Sequence, residues 1–242
     1  MNVLSLFSGI GGLELGLERA GMTVVGQVEI DPYARSILAR HWPEVPRHDD
    51  VHTTVQWWRS RSRPPVHLVA GGFPCQPASS AGLKLGPDDP RWLWPAMADV
   101  IAALHPAWVV WENVSGLLYR GLDIVHADLV RLGYHHRVGW TTACAVGAPH
   151  VRRRLFGVAH TTSLRREPRR SARPQAPQVE PRRRSPQPGR PWTGQPRPVG
   201  VAYGIPAGVD RRRTLGNAVV PDVAEHIGRL ILTAAYDQRS VA

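Results

Sequence analysis

The strongest constraint on the fold is an alternation: short apolar runs of strand length take turns with segments of helical spacing from the first residues onward. Asn2 to Phe7 (NVLSLF) reads as a strand. Gly11 to Ala20 reads as a helix with Leu13, Leu17 and Ala20 on one side and a closing Gly21. Met22 to Glu29 is a second strand, and Pro32 to His41 a second helix carrying Ala34, Ile37 and Leu38. Val66 to Ala70, Ala107 to Trp111 and Leu155 to Ala159 read as further strands; Pro95 to Leu104 and Ile124 to Leu132 read as helices. Strands alternating with helices predict an α/β fold, a parallel sheet with helices on both faces. Near the end, Pro221 opens a helix with Val223, Ile227, Leu230, Ile231 and Ala234 along one side.

A chain of 242 residues that is 43% hydrophobic can bury such a core. Its formal net charge of +11 points to a polyanionic partner, with nucleic acid first. The charge is concentrated. Residues 161–200 hold ten arginines against Glu167 and Glu180, which is +8 of the total, together with nine prolines. That segment has almost no large apolar side chain beyond Leu164 and Trp192, so it is expected to form an irregular basic linker. Two cysteines, Cys75 and Cys144, make no disulfide framework and suit a reducing compartment. No run reaches the ~20 apolar residues of a membrane span, and the N-terminus lacks a signal-peptide layout, so a cytoplasmic protein is expected.

Several strand ends carry residues that can do chemistry. Phe7-Ser8-Gly9-Ile10-Gly11-Gly12 follows a strand and opens a helix, either as a tight turn or as a loop whose backbone approaches a ligand. It is not the GxGxxG fingerprint, because Glu14 stands where the third glycine belongs. Glu29-Ile30-Asp31 places acids roughly the ~20 residues downstream where a ribose-binding acid is expected. Asp49-Asp50-Val51 follows a possible third strand, and an acid there can accept from an adenine amino group. Either pair of acids can equally be solvated loop residues. In Gly72-Phe73-Pro74-Cys75-Gln76-Pro77 a thiol lies between two prolines on a stiff turn, an unusual place for a core cysteine. Cys144 sits in the apolar run Thr142 to Val146 and suits the core. Glu112 ends an apolar strand, where partial desolvation favours a proton donor; the plain alternative is a loop acid. If the later strand starts at Arg152, then Arg152 and Arg154 share one face, suited to an anionic or carbonyl-rich ligand, or else form a solvated basic edge.

Taken together with Gly216-Asn217-Ala218-Val219, these motifs occur in the order seen in DNA (cytosine-5) methyltransferases, and the chain resembles that family over residues 1–160 and 200–242, most closely its compact bacterial and phage forms. The resemblance implies a Rossmann-like sheet that uses S-adenosyl-L-methionine. Phe7, Ser8, Gly9, Gly11, Gly12, Glu29, Ile30, Asp50, Val51, Pro74, Asn217 and Ala218 would form the cofactor site. Cys75 would be the nucleophile on C6 of a flipped cytosine, Glu112 would engage N3, Arg154 would hold the base, and Arg152 would support the site. No metal is implied. The segment Gln76 to Asp89 would be a loop closing over the base. Double-stranded DNA is the implied partner, with a cognate restriction endonuclease as a further one and a monomer as the working unit.

The chain departs from the family pattern at His150, where glutamine is usual, and over Thr161 to Arg213, where the family has a folded target-recognition domain. The expected organisation is therefore a catalytic domain (1–160), a reduced recognition region (161–205) and a C-terminal part (206–242) that packs back on the first. Two functions are consistent with this: an active cytosine-5 methyltransferase, or a catalytically impaired relative that binds DNA through its arginines. A nicotinamide-dependent oxidoreductase would rest on the glycine loop alone and leaves Cys75 and Glu112 unexplained.

Overall fold

The computed structural model describes residues 1–74, 86–142, 153–161 and 218–239. Its elements are β1 (Asn2–Leu6), α1 (Gly12–Arg19), β2 (Thr23–Val28), α2 (Pro32–His41), β3 (Arg47–His48), α3 (Thr54–Arg59), β4 (Leu68–Gly71), α4 (Trp94–Leu104), β5 (Trp108–Asn113), α5 (Leu122–Arg131), β6 (Tyr134–Thr142), β7 (Arg153–Thr161) and α6 (Pro221–Arg239). The seven strands form one sheet in the order β3-β2-β1-β4-β5-β7-β6. Most boundaries fall within a residue or two of those expected from periodicity. Local capping explains why: Asp31 accepts hydrogen bonds from the Tyr33 and Ala34 amides at 2.8 and 3.1 Å, and Pro32 then opens α2.

Strands β3, β2, β1, β4 and β5 are parallel, as expected. The remaining edge is not: β7 runs antiparallel to β5, and β6 antiparallel to β7. Only residues 143–152 separate β6 from β7, too few for the dozen or more that a parallel crossover needs. Strand β6 has no counterpart in the sequence-based reading. It is an edge strand whose His135, Arg137, Val138, Gly139 and Trp140 are all exposed, so no apolar face marks it. Helix α3 also went unforeseen, because it is short and only Thr54 and Trp58 of it are buried.

Alternation along the central strands feeds two cores, one on each face. Leu4, Val69, Val109 and Trp111 pack on one side with Phe73, Trp94, Met97 and Ile101, under α4 and α5. Val3, Leu68, Ala70 and Val110 pack on the other with Leu13 and Leu17 of α1 and Val223, Ile227 and Ile231 of α6. Gly157 of β7 makes room for the Trp111 indole, which a Cβ at that position would strike. Gly16 plays the same part between helices: a side chain there would meet the Pro221 carbonyl and the Ala224 methyl. Helix α6 is thereby held on α1, and residues 218–220 are delivered to the glycine loop.

Candidate functional site

The order of the sheet fixes where a ligand can sit. Chain progress runs outward from β1 through β2 to β3 on one side and through β4 to β5 on the other. The crevice beyond the carboxyl ends of β1 and β4, where the order reverses, is the usual ligand position in such sheets. A cavity of about 420 Å³ opens there.

Its walls come from successive strand ends. Phe7, Ser8, Gly9 and Gly12 form the floor after β1; Glu29 and Ile30 follow β2; Asp50 and Val51 follow β3; Pro74 follows β4. Ala218 closes the wall from the C-terminal side, next to Val219. Of the expected cofactor loop, Gly11 alone does not reach the cavity. It caps α1 with φ 89°, packed against the Trp42 ring and Leu38, and so shapes the loop rather than facing a ligand. Gly12 is needed for a different close approach: a Cβ there would strike the Val219 carbonyl. Cys75, Arg152 and Asn217 lie outside the described residues, as do the loop 76–85, Cys144, His150 and the arginine-rich segment after Thr161.

Glu29 organises the floor. One carboxylate oxygen accepts from the Gly9 amide at 2.7 Å and the other from the Asp31 amide at 2.8 Å. Each oxygen keeps a lone pair for a ligand hydroxyl. Asp50 accepts from the His52 amide at 2.9 Å and caps a short 3₁₀ turn that presents Val51. Ile30 is 77% exposed on the rim, an apolar side chain poised for a flat apolar group. Two hydrogen-bonding acids, a glycine backbone floor and an apolar rim fit a nucleoside-bearing cofactor.

At the other end of the cavity, Glu112 and Arg154 meet. Antiparallel pairing places Glu112 opposite Phe156 and Asn113 opposite Leu155, so Arg154 is the diagonal neighbour of Glu112 on the same face. Its Nε lies 2.9 Å from Glu112 Oε1, and Glu112 is buried. Gly72 accommodates that carboxylate, since a Cβ there would sit 3.2 Å from Glu112 Oε2. Arg153, the first described residue of β7, turns to the other face, 4.4 Å over the Trp140 ring.

Asn113 escaped the sequence-based assignment of roles. It is fully buried; its side-chain amide donates to the Phe73 carbonyl at 3.1 Å, and its oxygen accepts from the Val114 amide at 2.8 Å. It ties the end of β5 to the turn that carries Pro74. An amide two residues past the apolar run Trp108 to Trp111 was the available signal. Behind Glu112, the Trp111 indole donates to His136 Nε2 at 3.1 Å, and His136 Nδ1 lies 3.2 Å from His126 Nδ1. Burial, with His126 beside it, pushes His136 down to about 4. Among the described residues no cluster of side chains suited to a metal ion occurs, and no helix is long and apolar enough to cross a membrane.

Residues 1–190 match the family described as C-5 cytosine-specific DNA methylase. The chain is 36% identical over 168 residues to the Type II methyltransferase M2.BsuMI of Bacillus subtilis, covering 66% of this chain and 42% of that protein. It is 35% identical to the Type II methyltransferase M.AplI of Arthrospira platensis, covering 66% and 46%. It thus spans about half the length of the curated relatives it matches. Among solved structures, the S. pombe Dnmt2 methyltransferase superposes with a TM-score of 0.55 at 24% identity, over 66% of this chain and 51% of that one. An E. coli prophage protein described as a DNA modification methyltransferase superposes with a TM-score of 0.57 at 31% identity, over 68% and 47%.

Proposed function

Because the chain belongs to the C-5 cytosine-specific DNA methylase family, we propose that it transfers a methyl group from S-adenosyl-L-methionine to C5 of cytosine in double-stranded DNA. The observation that carries this reading is the Glu112–Arg154 pair, set in the same cavity as Pro74, the residue before Cys75.

Cytosine C5 is too electron-poor to take a methyl group unaided. The Cys75 thiolate adds to C6 while Glu112 engages N3, and the electron pair of the C5–C6 bond becomes available at C5. Arg154 orients the Glu112 carboxylate and can hold the base carbonyl with its remaining N–H groups. Arg152 supports that end of the site. The bound cofactor supplies an electrophilic methyl carbon. Once C5 is methylated, a base removes the C5 proton, the double bond re-forms and the thiolate leaves. The base must leave the duplex stack for this, because C5 and C6 are inaccessible within it.

At the cofactor end, Glu29 takes ribose hydroxyls with its free lone pairs, and Asp50 and Val51 border the adenine. Ile30 packs on its face, and the backbone of residues 7–12 supports the amino-acid part. Asn217 and Ala218 close the site from the C-terminal side. The Type II relatives favour a place in restriction–modification; a cognate endonuclease as partner and a monomer as the working unit complete the proposal.

The test is transfer of labelled methyl to mixed-sequence duplex DNA, with Cys75→Ser alongside, and covalent trapping on 5-fluorocytosine DNA. Transfer and an adduct that both disappear in Cys75→Ser are expected. Salt-sensitive DNA binding that survives Cys75→Ala, with no adduct from the unmodified chain, would instead establish the impaired, DNA-binding relative.

A further inference from the structure

Beneath the glycine loop lies a carboxyl group that the proposed chemistry does not use. Glu14, in the first turn of α1, has no solvent exposure, and neither of its oxygens has a hydrogen-bond partner of good geometry. It is not on the cavity wall, but Ser5 and Ser8, whose hydroxyls adjoin it, are. The Ser8 hydroxyl is turned to the Ser5 hydroxyl at 3.1 Å and lies 3.4 Å from the Ser5 carbonyl, which leaves the carboxyl under-served. The charged group acting on it is Glu29, just after β2, a like charge, and among the described residues no cation offsets it.

A buried acid without a counter-ion is costly in its ionised form. Burial accordingly pushes Glu14 up to about 7, against the smaller opposing pull of the two serine hydroxyls. A fold that needed only to fill this space would place an apolar side chain here. What the site lacks is a positive charge, and the cavity one layer away is where the cofactor is read to bind.

We propose that Glu14 is a positioning residue of the cofactor site that senses ligand charge: through the wall formed by Ser5 and Ser8, its carboxylate favours the sulfonium of S-adenosyl-L-methionine over the neutral thioether of S-adenosylhomocysteine. This inference rests on the cavity being the cofactor site. The two ligands share adenosine, ammonium and carboxylate and differ by one methyl group and one positive charge, so contacts from Glu29, Asp50 and the glycine loop cancel in their comparison. Across the buried Ser5 and Ser8, a Coulomb attraction is screened less than it would be in bulk water. Methyl transfer removes the charge, so Glu14 also loosens the product relative to the substrate.

Linkage sets the sign. Below its folded pKa, Glu14 is protonated and neutral, and the preference for the sulfonium fades. As pH rises it ionises, more readily with the cation bound, and the preference grows until both complexes hold it ionised.

Calorimetric titration of the full chain with each ligand tests this. From about pH 5 to about pH 7 the affinity ratio of the sulfonium over the thioether should rise by up to ~10-fold per pH unit and then level off. Near neutrality only the sulfonium should show a proton release that varies its heat with the buffer's ionisation enthalpy. Glu14→Gln should bind the thioether, which also reports that it is folded, with a ratio fixed at the low-pH level; Glu14→Asp should retain a slope. A ratio that does not change with pH in the unmodified chain, or an unchanged slope in Glu14→Gln, overturns the inference alone. Failure of the unmodified chain to bind either ligand overturns the reading of the cavity and the inference with it.

Discussion

Arg154 Nε stands 2.9 Å from Glu112 Oε1 across the antiparallel pair β5–β7, with three quarters of the arginine side chain and nine tenths of the glutamate side chain withdrawn from solvent. The pair is a product of register: a shift of one residue would send Arg154 to the opposite face, where Arg153 now lies over Trp140. It leaves Glu112 held in one orientation at the end of the cavity.

Removing one partner of so buried a pair should hurt both folding and chemistry. Arg154→Ala is expected to lower methyl transfer at least ~100-fold, the usual scale for losing a preorganised charge-stabilising donor. It should also lower Tm, because the Glu112 carboxylate stays buried without its cation. Arg154→Lys should recover Tm more fully than transfer, since an ammonium keeps the charge but loses the planar fork. Labelled-methyl assays beside thermal melts separate the two effects.

Asn113 connects the end of β5 to the turn bearing Pro74. Asn113→Ala removes the partner of the buried Phe73 carbonyl and of the part-buried Val114 amide and should cost about 2 kcal/mol of stability by denaturant titration. With the turn released, kcat for methyl transfer should fall while cofactor affinity changes little. A matching loss of cofactor affinity would argue against this division.

Gly12 is the point at which the C-terminal segment meets the glycine loop. A methyl group there must displace the Val219 backbone, which cannot yield without moving Ala218 from the cavity wall. Gly12→Ala is therefore expected to weaken cofactor binding by ~10-fold or more, in proportion to the affinity that a mis-set wall forfeits. Calorimetric titration with the cofactor provides the measurement.

His136 offers a stability signature. Its folded value of about 4 lies below the ordinary 6.5, so the unfolded chain takes up the proton first as pH falls. Its contribution is present above pH 6.5 and is lost progressively toward pH 4. The Tm advantage of the unmodified chain over His136→Asn should shrink across that window. The comparison cancels the opposite trend from Glu14, whose raised value favours folding as pH falls.

Sequence by itself determined the local half of this protein. Periodicity located β1, α1, β2, α2, β4, α4, β5 and α6 to within a few residues, because each has an apolar face or a cap written into adjacent positions. The motif residues were legible for the same reason: a glycine run after a strand, a thiol between prolines and an acid after four apolar residues are all short-range patterns. Tertiary structure decided the rest. The reversal of strand order that opens the cavity, the antiparallel β6–β7 edge and the diagonal meeting of Glu112 with Arg154 all depend on pairings between distant segments. No local period encodes those pairings. The buried, under-served Glu14 is the sharpest case. In the sequence it was only the residue that spoiled a glycine fingerprint; its burial behind Ser5 and Ser8, set by how α1 packs on the sheet, is what gives its charge a consequence.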